Sequence, residues 1–129
     1  MLSYSARSAA PAEIAWDLLA QPARWHEWAP HLRGAWNLGS PEVAEGARGA
    51  ARLLGVVPVP ALVTAKQPGR SWTWRVGPVT MVHRVAARGK GSEVAVDLLA
   101  PPPLEAALRF SYGPAVQLLV RRLARVAER

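Results

Sequence analysis

A chain of 129 residues can bury roughly two thirds of its unfolded surface around one core, so a single domain over residues 1–129 is expected. It has no cysteine, which excludes disulfides and thiolate chemistry, and no apolar run approaches the ~20 residues that span a bilayer. The formal charge of +7 rests on fourteen arginines and two lysines, spread along the chain apart from a terminal cluster at Arg121, Arg122, Arg125 and Arg129. Scattered charge marks solvated faces more often than a nucleic-acid or membrane surface. No apolar leader with a small-residue cleavage site opens the sequence, so a cytoplasmic location is expected.

In chain order, residues 2–8 alternate in character and predict a first strand. "PAEIAWDLLA" follows, with Pro11 at a helix start, Glu13 in the first turn, and Ile14, Trp16, Leu18 and Leu19 supplying an apolar face. Pro22 ends that helix and opens a second short one, "PARWHEW", which Pro30 stops. From Leu32 the period becomes two. Strands are predicted at about 32–38, 47–54, 56–65, 71–77, 79–87 and 92–99, separated by "GSPE", Gly55, "QPGR", "GP" and "RGKGS". Pro102 to Arg129 is helical in pattern, with Leu104, Leu108, Leu119, Leu123 and Val126 on one side and a break expected at Gly113-Pro114. This is an α+β arrangement, an antiparallel sheet of about seven strands covered on one face by a long C-terminal helix.

The stretches "PAEIAWDLLAQPARWHEWAPHL", "QPGRSWTWRVGPVTMVHRV" and "GSEVAVDL", with the closing helix, resemble the START-like (SRPBCC, polyketide cyclase/dehydrase-like) superfamily over essentially the whole chain. The resemblance implies a helix-grip fold, a curved sheet wrapped around the C-terminal helix with two short helices after the first strand. For function it is less specific, because that superfamily holds lipid carriers, cyclases, quinone-binding proteins and co-chaperones.

"WHEWAPH" poses a choice between a zinc site and a structural plug. A zinc-protease helix needs two histidines four apart with the glutamate beside them. Here His26 and His31 are five apart with Pro30 between them, so no metal is expected. Trp25 and Trp28, three apart, share one side of a turn and are expected to plug the end of the sheet's concave face.

Alternation, with charged residues marking the outside, predicts the lining of that face. Arg75 outward turns Trp72, Trp74 and Val76 inward; Arg84 outward turns Val79, Met81, His83 and Val85 inward; Glu93 and Asp97 outward turn Val94, Val96 and Leu98 inward. Arg48 and Arg52 place Gly49, Ala51 and Leu53 inside, and Trp36 faces inward if Arg33 faces solvent. Small residues opposite large aromatics leave room for a cavity beneath the closing helix, although inward tryptophans can also fill it. The candidate binding residues are therefore Trp36, Ala51, Trp72, Trp74, Met81, His83, Leu108, Arg109 and Tyr112, with Arg109 placed to meet an anionic head group at the entrance.

His83 is the one ionisable inward residue, and Tyr112 the best second polar group, so these two are the acid/base candidates. The serines lack a nucleophile elbow, and "RGKGS" is too short for a phosphate loop. The leading expectation is a binding protein, monomer or homodimer, that takes a small apolar or aromatic (lipid- or polyketide-like) molecule without a cofactor. An aromatase/cyclase-like enzyme using His83 and Tyr112 is the alternative from another class. Peripheral membrane or nucleic-acid contact through the terminal arginines is a third, with no motif for specific nucleic-acid readout.

Overall fold

Period-two segments separated by turn residues can only satisfy their backbone groups sideways, and here they do so in one antiparallel sheet. The computed structural model describes residues 1–29, 35–53 and 57–129. The strands are β1 (Leu2–Ser8), β2 (Ala35–Trp36), β3 (Arg48–Leu53), β4 (Val57–Gln67), β5 (Ser71–Val76), β6 (Val79–Arg88) and β7 (Gly91–Leu99), in spatial order β1-β7-β6-β5-β4-β3-β2. The first strand thus closes against the last, Leu2 opposite Leu98 and Ser8 opposite Ser92. The helices are α1 (Ala12–Ala20), a 3₁₀ turn at Pro22–Glu27, α2 (Pro102–Ser111) and α3 (Gly113–Ala127). The α+β helix-grip arrangement expected from the sequence is the one formed. Residues 32–34 of the strand expected over 32–38 lie outside the described residues, as do Pro30, His31 and Arg33.

Two prolines in β4 show how the sequence fits the ladder. Val63 exchanges hydrogen bonds with the chain leading into β3, its N–H to Ala47 O at 2.9 Å and its carbonyl from Gly46 N at 2.8 Å. Residues of opposite parity, Pro58 and Pro60, turn their nitrogens toward the other neighbour. There β5 begins pairing only at Leu62, so the missing N–H groups cost no ladder bond.

The concave face is filled from both chain ends. In α1 the buried residues are Ala15, Trp16, Leu18, Leu19 and Ala20, while Ile14, expected on the apolar face, is exposed. At 100° per residue the face centred on residues 15, 18 and 19 leaves Ile14 at its edge. α3 buries Val116, Val120, Leu123, Ala124, Val126 and Ala127 against the sheet and α1. Ser8 Oγ donates to Ala124 O at 2.8 Å and Gln117 Nε2 to Ser5 O at 3.0 Å, which fix α3 along β1. The predicted break is real: Tyr112 ends α2 and precedes α3, and Gly113 lies so close to the Tyr4 phenol that a β-carbon there would overlap it. α2 itself buries no residue, although Leu104 and Leu108 are half-buried.

Candidate functional site

The site is assembled where α1 stops. A helix leaves the carbonyls of its last turn without helical donors, and three indoles supply them here. Trp28 Nε1 donates to Leu18 O at 2.9 Å, Trp25 Nε1 to Leu19 O at 3.0 Å, and Trp72 Nε1 to that same Leu19 oxygen at 3.2 Å. Val43 N caps Ala20 O at 2.9 Å. The two tryptophans of "WHEWAPH" are therefore buried, as expected, and tied to the helix before them. Glu27 is held by Arg24 (Nε to Oε2, 2.9 Å), and His26 is exposed. Among the described residues no three His, Cys, Asp or Glu side chains gather to hold a metal ion; His31 is outside that set.

Register then stacks the rings. Trp72 lies directly opposite His83 across β5 and β6, and their rings stack at 3.7 Å and 8°. Trp25 stacks on Trp72 from the other side at 5.7 Å and 10°. Trp74, two residues along β5 and so on the same face, meets all three at 82° to 88° and 5.3 to 5.7 Å.

Beneath α3 these rings leave a cavity of about 50 Å³. The sheet contributes Trp72, Trp74, Met81, His83, Val94 and Val96; α1 and the 3₁₀ turn contribute Leu19, Trp25 and Trp28; the closing helices contribute Tyr112, Val116, Leu119, Val120 and Leu123. An engineered apolar cavity of about 150 Å³ admits benzene, and drug-sized ligands occupy 300–1,000 Å³. The space in this conformation is a third of the smaller figure. The cavity expected beneath the closing helix is thus small, because the inward tryptophans take up most of the groove.

Its polar groups are few. His83 Nδ1 is 3.3 Å from Trp72 O; a carbonyl only accepts, so Nδ1 carries the proton and Nε2 is left as an acceptor. Burial holds His83 neutral and pushes its pKa down to about 3, against smaller opposing effects from the Trp72 carbonyl and Asp97. Burial also raises the Tyr112 phenol above its ordinary value. Trp74 Nε1 is buried with no hydrogen-bond partner among the described residues, an unusual state for an indole N–H. On the opposite face of the sheet, Asp97 accepts from Arg84 at 2.7 and 2.9 Å, and that bidentate contact is the main reason its carboxyl sits below the usual range.

Of the residues singled out from sequence, Trp72, Trp74, Met81, His83 and Tyr112 meet around this one cavity. Ala51 is buried and Leu108 is packed on the core, but neither reaches the cavity wall; Arg109 is exposed. Trp36 is placed on the wrong face by the sequence reading. It pairs with Ala50 while Ala35 pairs with the buried Ala51, so Trp36 belongs to the other face and is 41% exposed. A one-residue difference of parity inverts a strand, and the reference residue Arg33 lies outside the described residues. The side chains of Arg52 and Leu53 are likewise outside them. The wall residues not proposed from sequence, Leu19 of α1 and Val116 and Val120 of α3, were legible in part: 112, 116, 119, 120 and 123 form one helical stripe.

The family described as "Polyketide cyclase / dehydrase and lipid transport" matches residues 2–128. Solved structures share the fold at low identity. Protein NE0264 from Nitrosomonas europaea superposes with a TM-score of 0.76 at 14% identity, covering 97% of this chain and 92% of that one. Protein BH1534 from Bacillus halodurans gives 0.72 at 13% identity, with coverages of 98% and 95%. DynU16, a protein in the dynemicin biosynthetic locus, gives 0.70 at 17%, covering 96% of this chain but 45% of DynU16. No curated protein matches the chain.

Proposed function

The chain belongs to the polyketide cyclase/dehydrase and lipid-transport family, and from that premise we propose that it binds a small apolar or aromatic molecule between the sheet and α3. The observation that carries this reading is an apolar cavity whose wall includes one neutral imidazole and one indole with an unpartnered N–H. A flat aromatic ligand bearing a carbonyl or hydroxyl suits them: Trp74 Nε1–H donates, His83 Nε2 accepts, and the rings of Trp25 and Trp28 supply area. Because about 50 Å³ is too small for such a ligand, binding requires the wall to move. The part of the wall that faces the sheet comes from Tyr112 and from Val116, Leu119, Val120 and Leu123 of α3, so it is α3 that must shift to admit a ligand.

The enzymatic alternative, a cyclase-like use of His83 and Tyr112, is favoured by their presence on one wall. Their protonation opposes it. A general base works best with a pKa near the operating pH, whereas His83 at about 3 holds protons weakly and Tyr112 releases its proton only above its ordinary range.

Titration with the neutral apolar fluorophore N-phenyl-1-naphthylamine tests the reading. One saturable site per chain is expected, with binding lost in Val120→Phe, which directs a ring into the cavity, while circular dichroism shows the variant folded. Saturable binding that survives Val120→Phe places the ligand elsewhere, and no saturable binding removes the proposal.

A further inference from the structure

The outward side of the closing helices is unlike the rest of the surface. α3 presents Pro114, Leu118, Arg121, Arg122 and Arg125 along one exposed stripe, opposite the residues that line the cavity. Phe110, at the end of α2, is 82% exposed and Leu118 66%, the two most exposed large apolar side chains among the described residues apart from Met1. Neither acid of this segment neutralises the arginines. Glu105 holds the α-amino group of Met1 at 2.9 Å, and Glu128 accepts from Ala9 N at 2.6 Å. Among the described residues Arg109, Arg121, Arg122 and Arg125 have no carboxylate partner, as several basic residues elsewhere also lack one, but only here do they stand beside large exposed apolar side chains on one helical segment.

We infer that this face docks the protein onto an anionic lipid surface, with Phe110 and Leu118 entering the headgroup region and the arginines meeting lipid phosphates and carboxylates. The charge selects the partner. A second copy of the chain meeting this face about a two-fold axis would set arginines against arginines with no free acid between them. Nucleic acid would satisfy the arginines but leaves Phe110 and Leu118 without an apolar medium, which a bilayer interface provides. No helix among the described residues is long and apolar enough to cross a membrane, so the contact is parallel to the surface.

Sedimentation with phosphatidylcholine vesicles, with and without 30 mole per cent phosphatidylserine, tests this without any ligand for the cavity, so it fails or succeeds independently of the binding proposal. The protein is expected to pellet with the anionic vesicles and remain in solution with neutral ones. Replacing Arg121 and Arg122 together by glutamine, at exposed positions that carry no fold, should weaken the association by about twenty-five-fold, at roughly fivefold per arginine. Phe110→Ser with Leu118→Ser should leave only weak, salt-sensitive binding. Absence of pelleting with anionic vesicles overturns the inference. So does full affinity in the Phe110/Leu118 double variant, or a concentration-dependent dimer that the same two changes abolish.

Discussion

His83 offers the sharpest test of the site, because a histidine buried neutral makes stability depend on pH with a defined sign. In the unfolded chain the imidazole takes up a proton near pH 6.5, whereas in the folded protein it does so only near about 3. Between these values the unfolded state binds more protons, so stability is full above pH 6.5 and falls as the solution is acidified. At 1.36 kcal/mol per pH unit, the part lost between pH 7 and pH 5 is about 2 kcal/mol. The perturbation is His83→Phe, which keeps a flat ring against Trp72 and removes the proton site. Urea unfolding followed by tryptophan fluorescence at pH 7, 6 and 5 gives the free energies. Other titrating groups are common to both proteins, so the difference between wild type and variant isolates His83. It should move by about 2 kcal/mol over that range, in the direction that favours the variant at low pH. A difference independent of pH would mean that the imidazole is hydrated or paired when charged, and both the burial of His83 and the neutral acceptor would then be wrong.

Trp28→Ala removes a buried indole and its bond to Leu18 O, and should lower stability by about 3–5 kcal/mol in urea unfolding; a loss well below 1 kcal/mol would mean the plug contributes nothing. Asp97→Asn should cost about 1–3 kcal/mol at neutral pH through the Arg84 contact. Because the Asp97 carboxyl is held below its ordinary value, that contribution persists above the usual carboxylate range and disappears as the pH drops through the folded value. Wild type and variant should thus converge in strong acid, and a constant gap would contradict the pairing.

Element type and order were legible because the signals were redundant. In β5 the run Ser71–Val76 alternates the polar Ser71, Thr73 and Arg75 with Trp72, Trp74 and Val76, and its turns carry Gly69 and Gly77, both at positive φ. Parity alone then placed Trp72, Trp74, Met81 and His83 on one face, and the structure puts them around one cavity. Where a strand is only two residues long, as at Ala35–Trp36, parity has nothing to average over. A charge marker three residues away then carries the whole inference, and it turned Trp36 to the wrong side.

Cavity size was not legible, for a different reason. Alternation gives the direction of a side chain, whereas an empty volume is a small difference between the space the backbone encloses and the atoms that fill it. Three facts decide that difference here, and none is a matter of which face a side chain takes. The α1 carbonyls draw Trp25, Trp28 and Trp72 toward one helix end, the β5–β6 register sets His83 against Trp72, and Gly113 lets α3 approach Tyr4. Together they place the rings so that about 50 Å³ remains. The same bonds explain which part of the wall can yield. Trp25, Trp28 and Trp72 are each tethered through Nε1, whereas Trp74 is held by packing alone and its N–H is unsatisfied. An incoming carbonyl that accepted from Trp74 would remove that penalty, about 1–3 kcal/mol for a buried donor, and so would offset part of the work of opening the wall.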